Sequence, residues 1–108
     1  MAEIFTGSIV DKTQADGAQT ITLSQGDRFR LHQIQLVPSA IPAAGTLQVS
    51  IKTPGASDFS DIGDAIDMTD STEYVMQFSG FASHIKFTPT SFDAAKTYSV
   101  FVCSGAGR

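Results

Sequence analysis

The sequence predicts an all-β protein: an antiparallel two-sheet β-sandwich, jelly-roll-like, with about eight strands. Three observations lead there. Turn-forming residues recur at roughly 8–12-residue spacing along the chain. Between them, apolar and polar residues alternate at the period of two that a pleated strand imposes. The 108 residues are 42% hydrophobic but only 17% charged, and Ser and Thr make up the difference, as suits the surface of a strand. A chain of this length is one domain, residues 1–108, with residues 104–108 expected as a flexible tail. It buries roughly 65% of the surface that its unfolded form exposes, enough for one core.

The elements follow in order. Residues 5–10 form a first short strand, and Asp16-Gly17 marks the turn after it. Residues 19–23 alternate cleanly, and residues 24–27 turn again. The longest run is residues 28–37. Phe29 and Leu31 share one face, and Ile34 and Leu36 share the other. That change of phase near His32-Gln33 predicts a bulge or a strand that crosses between sheets. An uncharged loop with Pro38 and Pro42 follows. The next strand places Leu47, Val49 and Ile51 inward. Residues 58–72 allow a short helix through Phe59, Ile62 and Ile66, or two short strands in a hairpin around Gly63-Asp64. The β-rich neighbours favour the hairpin. Tyr74, Met76 and Phe78 then alternate, Gly80 interrupts, and Ile85 and Phe87 mark a strand closed by Pro89.

The last strand, residues 96–103, departs from the pattern. Tyr98, Val100 and Val102 fall on one face, and Phe101 and Cys103 fall on the other behind Ser99. A half-exposed strand alternates apolar with polar, so this one needs cover on both sides. The loop carrying Val37, Pro38, Ile41 and Pro42 is also apolar without an evident partner. Phe101, Val37, Pro38, Ile41 and Pro42 are therefore the candidate subunit interface.

The chemistry that needs convergent residues finds little support. A net charge of −4, with seven scattered basic residues, argues against nucleic acid. The single cysteine excludes an intrachain disulfide, and Cys103 reads as a small buried hydrophobe. The N-terminal residues lack a basic stretch followed by an apolar one, and no window suits a membrane span; synthesis in a cytoplasm is expected. Asp58, Asp61, Asp64, Asp67, Asp70 and Glu73 recur at every third position. That register does not match an EF-hand loop, and on strands it sends successive carboxylates to opposite faces, so a solvated flank is expected rather than a calcium site. His32 and His84 have no ligand partner at metal spacing. No Gly-x-Ser-x-Gly elbow and no Gly-rich phosphate cradle occur. No tryptophan offers a sugar platform, and Phe (8) outnumbers Tyr (2). No enzyme activity, cofactor or metal is expected.

Residues 53–62, continuing through Ala65-Ile66-Asp67-Met68, together with residues 81–90, resemble small β-sandwich virion proteins of tailed bacteriophages and prophages. The likeness covers roughly half the chain. It implies a capsid decoration or cement protein: a homo-oligomer, with a trimer favoured, bound to the major capsid protein, located in the virion and made in the host cytoplasm. The alternative it implies is a tail or baseplate component, an adaptor or a host-binding module. A cement protein needs no chemistry, only a rigid fold and repeated contacts, each reinforced by the effective concentration of its neighbours.

Overall fold

The computed structural model describes residues 4–23 and 29–105. The turn expected at residues 24–27 and the tail beyond Gly105 lie outside them. The strands are β1 (Ile4–Lys12), β2 (Gln19–Thr22), β3 (Leu31–Pro38), β4 (Thr46–Lys52), β5 (Ser60–Asp61), β6 (Ile66–Asp67), β7 (Tyr74–Ser79), β8 (His84–Thr90) and β9 (Tyr98–Gly105), with one 3-10 turn at Gln14–Asp16. All pairings are antiparallel. The front sheet has the order β1-β9-β3-β7; the back sheet has β2-β8-β4, with β5 and β6 both on the outer side of β4. Strands 1, 3, 7 and 9 interleave with 2, 4, 5, 6 and 8, which is the order of a jelly roll. The shortest dimension, 21 Å, suits two sheets about 10 Å apart with side chains on both outer faces.

The core is the meeting of the inward phases. Tyr98, Val100 and Val102 of β9 and Ile34 and Leu36 of β3 face Leu47 and Val49 of β4 and Ile85 and Phe87 of β8; all are buried. Burying each such side chain contributes roughly 1.5–3 kcal/mol against leaving it exposed. Gly45 shows how close the interior packing is at one corner. Its φ is +124°, and a Cβ there would lie 2.5 Å from Phe92 Cα, so only glycine fits.

Three local expectations are corrected. First, β3 carries no phase change. It pairs in unbroken register with both β9 and β7, and His32, Ile34, Leu36 and Pro38 all point inward. Leu31 is an outward apolar residue, and Phe29 is buried from the segment before the strand. The break in register lies in β1, between Ile9 and Lys12, where Asp11 takes φ 53° and its N–H donates to Ser99 Oγ at 3.0 Å. Second, the strands flanking Gly63-Asp64 do not pair with each other as a hairpin. Both pair with β4, as one edge strand interrupted in its middle. Gln48 Nε2 fills the interruption, donating to the carbonyls of Ile62 (3.4 Å) and Gly63 (3.2 Å). Third, β9 runs on through Ser104 and Gly105, which the sequence reading gave to the tail. Ser104 is fully buried, and its hydroxyl lies 2.7 Å from His32 Nδ1.

Candidate interaction surface

The perturbed titratable groups are dispersed and each serves the fold. Asp16, Asp67 and Asp93 are held below the usual carboxylate range by hydrogen bonds from nearby groups in turns: Thr13 for Asp16, Thr69 for Asp67, and the backbone of Ala43 and Ala95 for Asp93. Asp93 thereby ties the loop before β4 to the loop before β9. His32 has a lowered pKa because it is buried, and burial pushes the Tyr98 phenol up to about 12. The six acids at every third position are all exposed, and no group of three potential metal ligands occurs among the described residues.

The unusual feature is the outward face of the front sheet. From β9 it carries Phe101 and Cys103; from β1, Ile4, Thr6 and Ser8; from β3, Leu31, Gln33, Gln35 and Val37; and from β7, Val75, Gln77 and Ser79. Phe101 stands between Ser8 and Gln35 across the strands, and Cys103 between Thr6 and Gln33. None of these positions is itself charged, but the Glu73 carboxylate, just before β7, reaches the face and accepts from Gln35 Nε2. Ile4 (67%), Val75 (56%), Leu31 (52%) and Phe101 (43%) leave large parts of their apolar surface in water. Between them the amides engage their neighbours, as Gln77 Nε2 does in donating to Gln33 Oε1 at 3.0 Å. Two open depressions, of about 420 and 530 Å³, lie in this face, and Cys103 lines both.

The back sheet shows water a different surface. Its outward positions include Thr20, Thr22, Thr46, Thr88, Lys52, Lys86, His84, Asp61 and Asp67. The large aromatic group there, Phe59, is covered by cations: Lys86 Nζ stands 4.5 Å and Lys52 Nζ 5.5 Å from the ring centroid, and His84 meets it edge-on at 6.3 Å.

The five residues marked in the sequence as an interface part company. Phe101 lies in the middle of the front face, on a central strand, with much of its ring in water. Val37 is on the same face, half-buried, and Ile41 is exposed in the loop beyond β3. Pro38 and Pro42 are buried inside their own chain and are removed from the surface. Cys103, read as a buried hydrophobe, is exposed because it shares the phase of Phe101. Ile4, Leu31 and Val75 were missed. Their signal was an apolar residue on the off phase of a strand, the same signal that singled out Phe101.

No protein-family model and no curated protein matches the chain. Several solved structures share its fold. The SPBc2 prophage-derived protein YomS aligns over 97% of this chain and 95% of its own, with a TM-score of 0.59 and 11% identity. A nora virus structure aligns over 95% of this chain, with a TM-score of 0.58 and 8% identity; this chain spans only 54% of it. A structure of Bacillus endospore appendages, described as disulfide-linked pili, aligns over 97% of this chain and 88% of its own, with a TM-score of 0.52 and 13% identity. The two-sheet sandwich and the likeness to proteins of prophage and viral origin, both expected from the sequence, are thus found in the fold.

Proposed function

We propose that this chain is a non-enzymatic structural protein of a tailed-bacteriophage virion, a capsid decoration protein that forms a homo-oligomer and binds the major capsid protein. The observation that carries this reading is the front face, a sheet surface with apolar side chains in water and no charged residue at its outward strand positions, although the Glu73 carboxylate reaches Gln35 at its margin. Small domains rarely leave such a patch uncovered unless a protein partner meets it. Four strands of this length span roughly 500 Å² in plane, and corrugation brings the accessible area toward the ~800 Å² per partner of a specific contact. The fold shared with a prophage-derived protein and a virus structure supports the same reading.

The test is capture. Tagged protein is mixed with purified shells lacking it and, separately, with purified tails. Retention on shells, lost in Phe101→Asp, is the expected result. Retention on tails alone moves the protein to the tail or baseplate. Retention on neither, with a monomer at high concentration, rejects the proposal.

A further inference from the structure

The four sheet margins are not alike. An edge strand offers unpaired N–H and C=O groups to any extended chain, and proteins block such margins with charge, bulges, proline or brevity. In the back sheet, β2 is four residues long, and β5 and β6 are two residues each and carry Asp61 and Asp67. In the front sheet, β1 is bent by its register shift and ends on Asp11 and Lys12. The margin of β7 has none of these devices. Its six residues, Tyr-Val-Met-Gln-Phe-Ser, contain no charge and no proline and pair with β3 without a shift. The Gly80 N–H donates to the Arg30 carbonyl at 2.8 Å. Counted back by twos in antiparallel register, Phe78, Met76 and Tyr74 turn their backbone groups to β3, and Val75, Gln77 and Ser79 turn theirs outward.

We infer that β7 is a pairing edge whose occupant is β7 of a second copy, antiparallel to it across a twofold axis normal to the sheet. The inference rests on the homo-oligomer proposed above and names its seam. Residues directly opposed in an antiparallel pair share a face, so a strand matches its own copy when the axis passes through a residue. With the axis at Gln77, Val75 opposes Ser79 on the front, and Met76 opposes Phe78 behind. These last two side chains are only half-buried in one copy, and the neighbour extends their apolar layer. Charge also favours a second copy at this margin. The chain carries −4 overall, but the first acid beside β7 is Glu73. The two copies of Glu73 would stand about 27 Å apart at 3.4 Å per residue, far beyond the ~8 Å screening length of physiological salt. The product is one continuous eight-strand sheet, with both apolar front faces on the same side. Phe101 lies about 12 Å from the seam, two and a half strand spacings away, and stays open for the shell.

Light scattering and amide hydrogen exchange on the full chain test this. Wild type is expected at twice the chain mass. Val75→Lys/Gln77→Lys is expected at the single mass, folded, and with the melting temperature of wild type diluted to monomer, since both side chains point to solvent and only the stabilisation by association is lost. Phe101→Asp is expected to remain a dimer. The amides of Val75, Gln77 and Ser79 are expected to exchange on the order of tenfold more slowly, or slower still, in concentrated than in dilute wild type, a readout that needs no variant to fold. A trimeric mass, or an oligomer that Phe101→Asp dissociates and the double-lysine variant does not, overturns the seam and leaves the homo-oligomer standing. Equal exchange at both concentrations within an intact oligomer does the same. A wild type that stays monomeric overturns both.

Discussion

The two outer faces of the sandwich come from the same kind of strand, yet they treat water in opposite ways. The back sheet alternates apolar with Thr, Lys, His and Asp, and shields its outward ring, Phe59, beneath Lys52 and Lys86. The front sheet alternates apolar with Gln, Ser and Thr, and leaves Phe101 and Val75 bare. Both faces cover the same interior, so packing alone explains neither. The back surface suits a protein that stays dissolved. The front surface has amides and hydroxyls to make hydrogen bonds and carries its nearby carboxylate, Glu73, at one margin beside Gln35, so burying its centre against a partner costs little.

If neither face holds the fold together, the largest loss of stability comes from between the sheets. Gly45→Ala should cost about 2–4 kcal/mol, from its positive φ and its contact with the Phe92 backbone. Phe59→Asp and Phe101→Asp, on the two outer faces, should each stay within about 0.5 kcal/mol of wild type. Urea titration of the three variants measures this. A Phe101→Asp protein as unstable as Gly45→Ala would make the front face part of the fold rather than a docking surface. Binding should reverse the ranking. Phe101→Asp is expected to weaken shell capture by about 2 kcal/mol or more, roughly thirtyfold, and Phe59→Asp to leave it unchanged. Capture through an uncharged surface should also withstand added sodium chloride, whereas a contact made by Lys52 and Lys86 would weaken. The Cys103 thiol should lose its reactivity toward a maleimide when the shell is bound. A thiol that labels equally fast on the shell would move the contact elsewhere.

A smaller effect of opposite sign belongs to the interior. The Tyr98 hydroxyl is fully buried and has no hydrogen-bond partner among the described residues, although the ring meets Phe92 edge-on at 5.6 Å. Tyr98→Phe keeps the ring and removes a desolvated polar atom, so it should stabilise by about 1 kcal/mol. Destabilisation by as much would show that the hydroxyl has a bonding role.

These sites also show how much the sequence disclosed. The sandwich was legible because alternation and turn chemistry are local, and β4, β7, β8 and β9 obey them. Phe101 was legible because it stands on the off phase of a strand whose other phase is plainly core. Leu31 was not. Placed on one face with Phe29, it called for a bulge or a crossing between sheets, when His32 was the residue facing inward. A buried histidine satisfied by Ser104 and Gly80 from distant strands leaves no local trace. Pro38 and Pro42 were misread for a related reason: an uncharged loop looks sticky until the chain that folds over it is seen. The split edge at β5 and β6 depends on Gln48, one strand away, reaching into the gap.

His32 supplies the finest probe of the front sheet, since it lies directly behind the face and belongs to the same strands. Its Nε2 is 2.9 Å from the Gly80 carbonyl, which can only accept, so the proton sits on Nε2, and Nδ1 accepts from the Ser104 hydroxyl. The ring stacks on Phe78 with centroids 4.5 Å apart. The neutral imidazole is therefore fully bonded, and burial, the largest influence on it, lowers its pKa from the ordinary 6.5. As pH falls, the unfolded chain takes up this proton before the folded one does. The contribution of His32 is complete above pH 6.5 and is lost as pH drops through the interval between that value and the lower folded one. The carboxylates of Asp16, Asp67 and Asp93 act in a separate window, below 3.8. Melting temperature against pH should show a shallow decline in the upper window. The His32 C2 proton should titrate below the free imidazole. A His32 titration at or above 6.5 would show that water reaches the ring through the front sheet, and the description of that sheet as dry behind and bare in front would fail.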